Sequence, residues 1–259
     1  MSIHRAACTH LTGSFDRGGS TVVRDLTGAG TPEADWQAKL GLLPSQAAAA
    51  LAPPGAQVLL IAPHPDDEVF GAGATAAQLA ALGHEVSLVA VTDGEASHPG
   101  QRSRLHSLRP AESRRALRLL GLHGPVHRLR LPDGAVDPEE LAPLLAPLVR
   151  AAEVVLAPWE HDGHPDHDVT GAVAGRLAAA YGRPLLAYLV WAWHWASPGG
   201  ADLPWAAAIK VPTPAAVLAA KRHAASAFCS QLEGPDPILP AHVLARLIRP
   251  FEVLLAGPR

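Results

Sequence analysis

Five segments that read as strands, most of them apolar and each separated from the next by a helical stretch, restrict this chain to one broad architecture. They cover residues 58–62, 85–91, 126–131, 153–157 and 185–191. The first two, Val58-Leu59-Leu60-Ile61-Ala62 and Val86-Ser87-Leu88-Val89-Ala90-Val91, are apolar almost throughout instead of alternating, as expected of strands covered on both faces. Helical segments are predicted at 68–82, closed by Gly83, and at 109–120, closed by Gly121. Two more follow at 139–151 and 169–181, and Pro143 and Pro147 are expected to make the first of these irregular. A further strand at 206–211 and a helix at 214–228 come after them. Strand and helix alternating in this way give an α/β fold, a Rossmann-like three-layer sandwich with a mostly parallel sheet.

Residues 1–56 do not follow this alternation. Gly13, Gly18, Gly19, Gly28 and Gly30 punctuate them, and Thr21-Val22-Val23 reads as a short strand. Thr31-Pro32-Glu33 reads as a helix start, with Thr31 as cap and Pro32 at the first helical position. Trp36, Leu40, Leu42 and Leu43 give that helix an apolar stripe, and 47–51 reads as a second helix before Pro53-Pro54-Gly55. The chain therefore divides into an N-terminal extension, 1–56, packed on a core domain, 57–259. A net charge of −3 without a basic run argues against a nucleic-acid partner. Cys8 and Cys229 alone make no disulfide framework and no CxxC metal motif. With no apolar signal core in residues 1–15 and no run of membrane-span length, a cytoplasmic protein without a membrane partner is expected.

The chemistry concentrates in two loops. His64-Pro65-Asp66-Asp67-Glu68 follows the first strand, and His164-Pro165-Asp166-His167 follows the fourth. Ligands of open α/β sheets bind at the carboxyl ends of the strands, so both loops should open on one edge. His64, Asp67 and His167 form a two-histidine, one-carboxylate set, which leaves a position open on a bound zinc. Iron(II) suits such a set as well. An ion of this kind makes water a nucleophile near neutral pH. Asp66 is placed to act as the general base. His164, protonated, is placed to stabilise an oxyanion and then protonate a leaving amine. Asp166 reads as the residue that orients His164 and raises its pKa, or more plainly as a helix cap. Glu68 reads as a first-turn acid favouring the helix dipole. Gly71-Ala72-Gly73 lacks the third glycine of a nucleotide loop. Trp191, Trp193, His194 and Trp195 read as packing, or as a platform for a sugar face. Lys221 reads as structural. These assignments amount to metal-assisted amide hydrolysis.

The two motifs together resemble the LmbE/PIG-L family of zinc-dependent sugar de-N-acetylases. Its members include the deacetylases of mycothiol and bacillithiol synthesis and the enzyme acting on N-acetylglucosaminyl-phosphatidylinositol. The resemblance runs from about Gln57 to about Gln231. Thr92-Asp93-Gly94-Glu95 resembles the family's segment after its second strand, and Arg109-x-x-Glu112 with Leu120-Gly121 its substrate-side helix. Lys221, Ser230 and Gln231 resemble its K…SQ segment. The resemblance implies one zinc per chain held by His64, Asp67 and His167, with Asp66 as base and His164 at the oxyanion. It also implies that Arg109 and Asp133 contact the sugar or its aglycone, although Arg109 reads equally as a salt-bridge partner of Glu112. The implied reaction is removal of an N-acetyl group from an N-acetylglucosamine-containing small glycoside by a deacetylase domain spanning 57–259. Rival readings are an amidase of thiol conjugates, a deacylase of secondary metabolites, and a metal- or sugar-binding protein without turnover. The expected partner is a small amino-sugar substrate, with homo-oligomerisation left open. Some relatives carry a tyrosine two residues before the first histidine of the second motif, where this chain has Asp162.

Overall fold

Val58, Leu60 and Ala62 face one side of a central strand and Leu59 and Ile61 the other, and all five are buried. That two-residue period with apolar groups on both faces requires a covering layer on each side. The computed structural model describes residues 12–15, 21–24, 26–235 and 237–257. Strands β1 (Thr12–Phe15) and β2 (Thr21–Arg24) form an antiparallel pair. The main sheet comprises β3 (Gln57–Ala62), β4 (Glu85–Thr92), β5 (Val126–Leu131), β6 (Val154–Pro158), β7 (Leu185–Tyr188), β8 (Ala208–Pro212) and β9 (Phe251–Ala256). Its spatial order is β5-β4-β3-β6-β7-β9-β8. The first five strands in that order are parallel, and β9 runs antiparallel to both β7 and β8.

Helices Pro138–Ala151 and Pro165–Ala180 cover one face, with Leu141, Leu145, Val149, Val173 and Ala178 against Leu59, Ile61, Val89 and Val155. Helices Gly73–Ala81 and Arg102–Leu119 cover the other, bringing Ala76, Leu79, Ala116 and Leu117 against Val58, Leu60, Val86 and Leu88. The α/β three-layer sandwich is thus present. Among the described residues, no helix is long and apolar enough to cross a membrane. Helix Glu33–Gly41 belongs to the same core: Trp36 is fully buried, stacks edge-on against Trp193 at 5.0 Å between ring centroids and donates through Nε1 to the Trp193 carbonyl. Glu33 receives Arg249 through both carboxylate oxygens, which clamps this segment to the end of the chain.

The chain changes direction between β3 and β6. From β3 it runs outward through β4 to β5, then crosses back to place β6 on the other side of β3. The crevice at that reversal is where an open α/β sheet binds ligands. Both histidine loops follow these two adjacent strands, which is why motifs far apart in sequence meet.

Several local expectations are corrected. The helix expected over 68–82 is two helices, Asp67–Phe70 and Gly73–Ala81. The break falls at Ala72, whose φ of −138° and ψ of 19° leave the helical region, whereas Gly71 keeps helical angles. A Cβ on Gly71 would overlap the Tyr188 ring, which is fully buried with its hydroxyl on the Ile61 carbonyl at 2.8 Å. Gly71→Ala is therefore expected to destabilise by about 1–3 kcal/mol, the usual cost of overpacking. Thermal unfolding measures it, and an unchanged midpoint would show that Tyr188 yields. The helix expected from Arg109 begins at Arg102 and carries Pro110 inside it, its early turns anchored by buried Leu105 and Arg109. The helix after the second motif begins at Pro165 rather than Val169. The run 185–191 is a strand only to Tyr188, and a short helix, Ala192–Trp195, follows. Pro32, not Thr31, occupies the cap of Glu33–Gly41, and Thr31 Oγ1 donates to the Ala196 carbonyl instead. Residues 48–50 form a single 3-10 turn.

Candidate metal centre and active site

Asp66 is the most strained residue of the first loop. Its φ of 130° lies where side chains other than glycine are disfavoured. Four hydrogen bonds hold it there. Its N–H donates to Glu68 Oε2 at 2.8 Å, the Val69 and Phe70 amides donate to its carbonyl, and Arg109 grips the preceding Pro65 carbonyl at 2.7 Å. The turn aims the Asp66 and Asp67 side chains differently. Asp67 Oδ2 lies 3.2 Å from His64 Nδ1 and 3.1 Å from His167 Nε2. Asp66 instead reaches Arg109 Nη2 at 3.0 Å and lines a cleft of about 450 Å³.

The protonation pattern around Asp67 bears on whether a metal fits. His167 Nδ1 faces Asp162 Oδ2 at 2.8 Å, and both groups are fully buried. A carboxylate only accepts, so His167 Nδ1 donates. In a neutral ring Nε2 then carries a lone pair directed at Asp67 Oδ2. That nitrogen is buried and makes no hydrogen bond within the described structure. Two acceptors facing each other at 3.1 Å need a positive charge between or upon them. Four ligands on a zinc sit about 3.3 Å apart, from metal–ligand distances of 2.0–2.1 Å. The Asp67–His64 and Asp67–His167 spacings match that. One ring nitrogen each from His64, His164 and His167 also lies within 4.8 Å of the others. His64, Asp133 and Asp166 form a second cluster of the same span. There, however, the carboxylates already share His64 Nε2, at 2.9 Å for Asp166 and 3.2 Å for Asp133. The residues present thus fit a divalent ion at His64, Asp67 and His167, with carboxylates behind both imidazoles.

Without the ion, electrostatics show the same demand for positive charge. Burial opposes charge on His167, yet Asp67 and Asp162 outweigh it and push its pKa up to about 10. Burial likewise opposes charge on His64, but Asp133, Asp166 and Asp67 carry it well above its ordinary value. Asp67 is held below the usual carboxylate range, the charges and hydrogen bonds of His167 and His64 overcoming its desolvation. Asp66 goes the other way. Burial raises it to about 7, against the pull of Arg109 and with the help of Asp67 and Glu68.

His164, half-buried, packs against both metal-facing imidazoles, 4.7 Å from the His64 ring and 5.1 Å from the His167 ring between centroids. Its Nδ1 accepts from the Asp166 backbone N–H at 3.2 Å, so the neutral ring carries its proton on Nε2. Burial and the neighbouring histidines hold its pKa well below the ordinary value. The expected imidazolium is thereby corrected to a neutral ring with one N–H to offer. The charge of Asp166 does raise the His164 pKa, as expected, without outweighing burial, and its backbone N–H holds the ring. Its carboxylate itself receives His64 Nε2, Gly134 N at 2.7 Å and Val136 N at 3.2 Å.

Arg109 does not pair with Glu112. It binds Asp66, Pro65 O and, at 2.9 Å, Gly94 O, while Glu112 receives the backbone and hydroxyl of Ser230. Asp133, expected on the sugar, joins His64 to the 96 loop by accepting the Ala96 N–H at 2.6 Å. Both line the cleft. Two residues outside the sequence assignment prove central. Glu68 is fully buried and, besides the Asp66 amide, takes the Ser113 hydroxyl at 2.5 Å, so it braces the Asp66 turn rather than merely favouring a dipole. Asp162 backs His167. The sequence signal for it was only an aspartate beside the second motif. Lys221 is structural, as read, in a pair with Glu252.

An α/β sandwich with a buried His/Asp cluster at its topological switch point is a frame that could hold a metal ion. Comparison with known proteins gives the particular family. Residues 59–178 match the family model described as PIG-L: GlcNAc-PI de-N-acetylase. Over those residues the chain is similar to the LmbE/PIG-L family. Its fold is similar to that of an N,N'-diacetylchitobiose deacetylase from Pyrococcus horikoshii, at 21% identity and TM-score 0.59, covering 86% of this chain and 87% of that one. A conserved protein from Thermus thermophilus is 27% identical with TM-score 0.58, covering 79% and 95% of the two chains. The zinc-inhibited form of a teicoplanin deacetylase is 22% identical with TM-score 0.59, covering 77% and 97%.

Proposed function

We propose that this protein is a metal-dependent hydrolase that removes an N-acetyl group from an N-acetylglucosamine-containing small glycoside, releasing acetate and a free amine. The observation that carries the reading is the convergence of His64 Nδ1 and His167 Nε2, which makes no hydrogen bond, on Asp67 Oδ2 at 3.2 and 3.1 Å, next to an Asp66 carboxylate that lines the cleft. The matched family and the deacetylase activities named for two structural neighbours support the substrate class.

His64, Asp67 and His167 would hold one zinc. When bound, such an ion polarises the amide carbonyl and makes water a nucleophile at neutral pH. The chain supplies the remaining chemistry. Asp66 accepts the proton of the attacking water, and Arg109 keeps its carboxylate turned into the cleft. His164 offers its Nε2–H to the developing oxyanion as a neutral donor. The proton gathered on Asp66 is then available to the departing amine. Away from these groups part of the cleft wall is apolar, with Leu26, Val190, Trp191, Ile238 and Leu239, beside polar Ser97 and Gln231. Such a wall suits a glycoside whose aglycone carries an apolar face, with Trp191 available to a sugar ring.

Acetate release from N-acetylglucosaminides tests the reading. Activity is expected to vanish on treatment with a strong chelator and to return on adding zinc. Turnover that survives complete metal removal, or no acetate from any glycoside of this class, would overturn it.

A further inference from the structure

We propose that Asp162 is the positioning residue that prepares His167 for metal and fastens the Trp191 wall of the cleft to it. The inference rests on the metal reading above. Asp162 is fully buried, and its carboxylate is saturated by four N–H groups from two sources. Oδ2 accepts from His167 Nδ1 at 2.8 Å and from Trp191 N at 2.9 Å; Oδ1 accepts from Val190 N at 2.9 Å and Ala192 N at 3.0 Å. The Asp162 carbonyl further accepts Trp195 Nε1 at 2.7 Å.

Two consequences follow from that geometry. A neutral imidazole exists as either of two tautomers, and only the form with hydrogen on Nδ1 leaves Nε2 free for a metal. A carboxylate opposite Nδ1 permits only that form. In addition, the three backbone amides belong to the turn that leaves β7, and Val190 and Trp191 of that turn line the cleft. One carboxylate therefore sets both the metal-facing nitrogen and the position of the wall. With every lone pair engaged away from the cleft, Asp162 has no reach to substrate. It does not stand in for the tyrosine that some relatives carry at this position.

Asp162→Asn separates positioning from simple turn anchoring. The amide oxygen can still take the Val190 and Ala192 amides. The amide nitrogen must then face His167 Nδ1, which has to accept and so puts the proton on Nε2. Zinc affinity, measured by competition with a chromophoric chelator, is expected to weaken about 10–100-fold, the usual effect of losing a group behind a metal-bound histidine. The metal-free protein is expected to lose stability as well, since the amide nitrogen faces the Trp191 N–H and His167 loses its counter-charge, so zinc affinity is the readout that decides. Wild-type zinc affinity in Asp162→Asn would overturn the assignment while leaving the metal reading intact, even if thermal stability fell. A wild-type protein that takes up no divalent ion would overturn both. A measurement independent of the variant is the imidazole 15N spectrum of the zinc-loaded wild type. His167 is expected to show hydrogen on Nδ1 and metal at Nε2, and the reverse arrangement would overturn the proposal.

Discussion

Asp66→Asn is expected to keep its zinc and lose turnover by about 10²–10⁴-fold, the range that a positioned general base contributes. Asparagine is the informative replacement because it changes so little else. It has nearly the shape of aspartate and, among residues with a Cβ, it tolerates positive φ comparatively well. The Asp66 N–H bond to Glu68 and the Arg109 hold on Pro65 do not involve the Asp66 side chain, so the turn survives. The three metal-facing atoms belong to His64, Asp67 and His167, so metal content should stay complete. What disappears is the ability to accept a proton beside the reacting carbonyl. The loss is expected in kcat with KM little changed, since Asp66 acts on water rather than on the sugar. Metal analysis alongside initial rates decides the matter: near-normal kcat at full zinc content would remove Asp66 from the reaction. A protein that merely binds metal and sugar would show no dependence on this residue.

Much of this arrangement was legible before any coordinates. The parallel strands announce themselves because burial on both faces demands apolar runs, and β3, β4 and β6 are such runs. The two histidine motifs follow β3 and β6, so the rule for carboxyl ends of strands already points them to one crevice. The failures share a cause: each depends on a partner remote in sequence. Position 71 has to be glycine because Tyr188 occupies the space a side chain would need, and the helix is interrupted next to it at Ala72. Arg109 lies one helical turn from Glu112, which suggests a pair, yet the fold brings Asp66 nearer. Glu68 looks like a solvated first-turn acid until Ser113 is packed over it. Asp166 sits beside His164 in sequence, but the helix turns its carboxylate toward His64. Strand β9 escaped notice because Glu252 interrupts its apolar run, and that glutamate is buried for a reason the local sequence does not contain.

That reason yields the largest expected effect on stability. Glu252 accepts the Ala74 and Thr75 amides at 2.8 and 2.7 Å, which caps the start of helix Gly73–Ala81. Lys221, fully buried, meets the same carboxylate at 2.6 Å and donates to the Phe70 carbonyl at 3.1 Å. A cation from helix Ala215–Ala225 thus satisfies both the end of the helix that carries Asp67 and the acid that begins the next. Lys221→Met keeps much of the volume but leaves a buried carboxylate without its counter-charge. Breaking one partner of such a pair costs about 3–5 kcal/mol, whereas removing both charges costs far less. At roughly 2–4 °C per kcal/mol for a chain of this size, the midpoint should fall by about 6–20 °C. Adding Glu252→Gln to the Lys221→Met background should recover part of the loss, because an amide oxygen can still take a helix amide while the orphaned charge is gone. Denaturant melts of the two single variants and the double variant measure the coupling. A Lys221→Met loss below about 1 kcal/mol would place this pair with surface ion pairs, which contribute little. The fold would then have to hold the start of helix Gly73–Ala81 by packing alone.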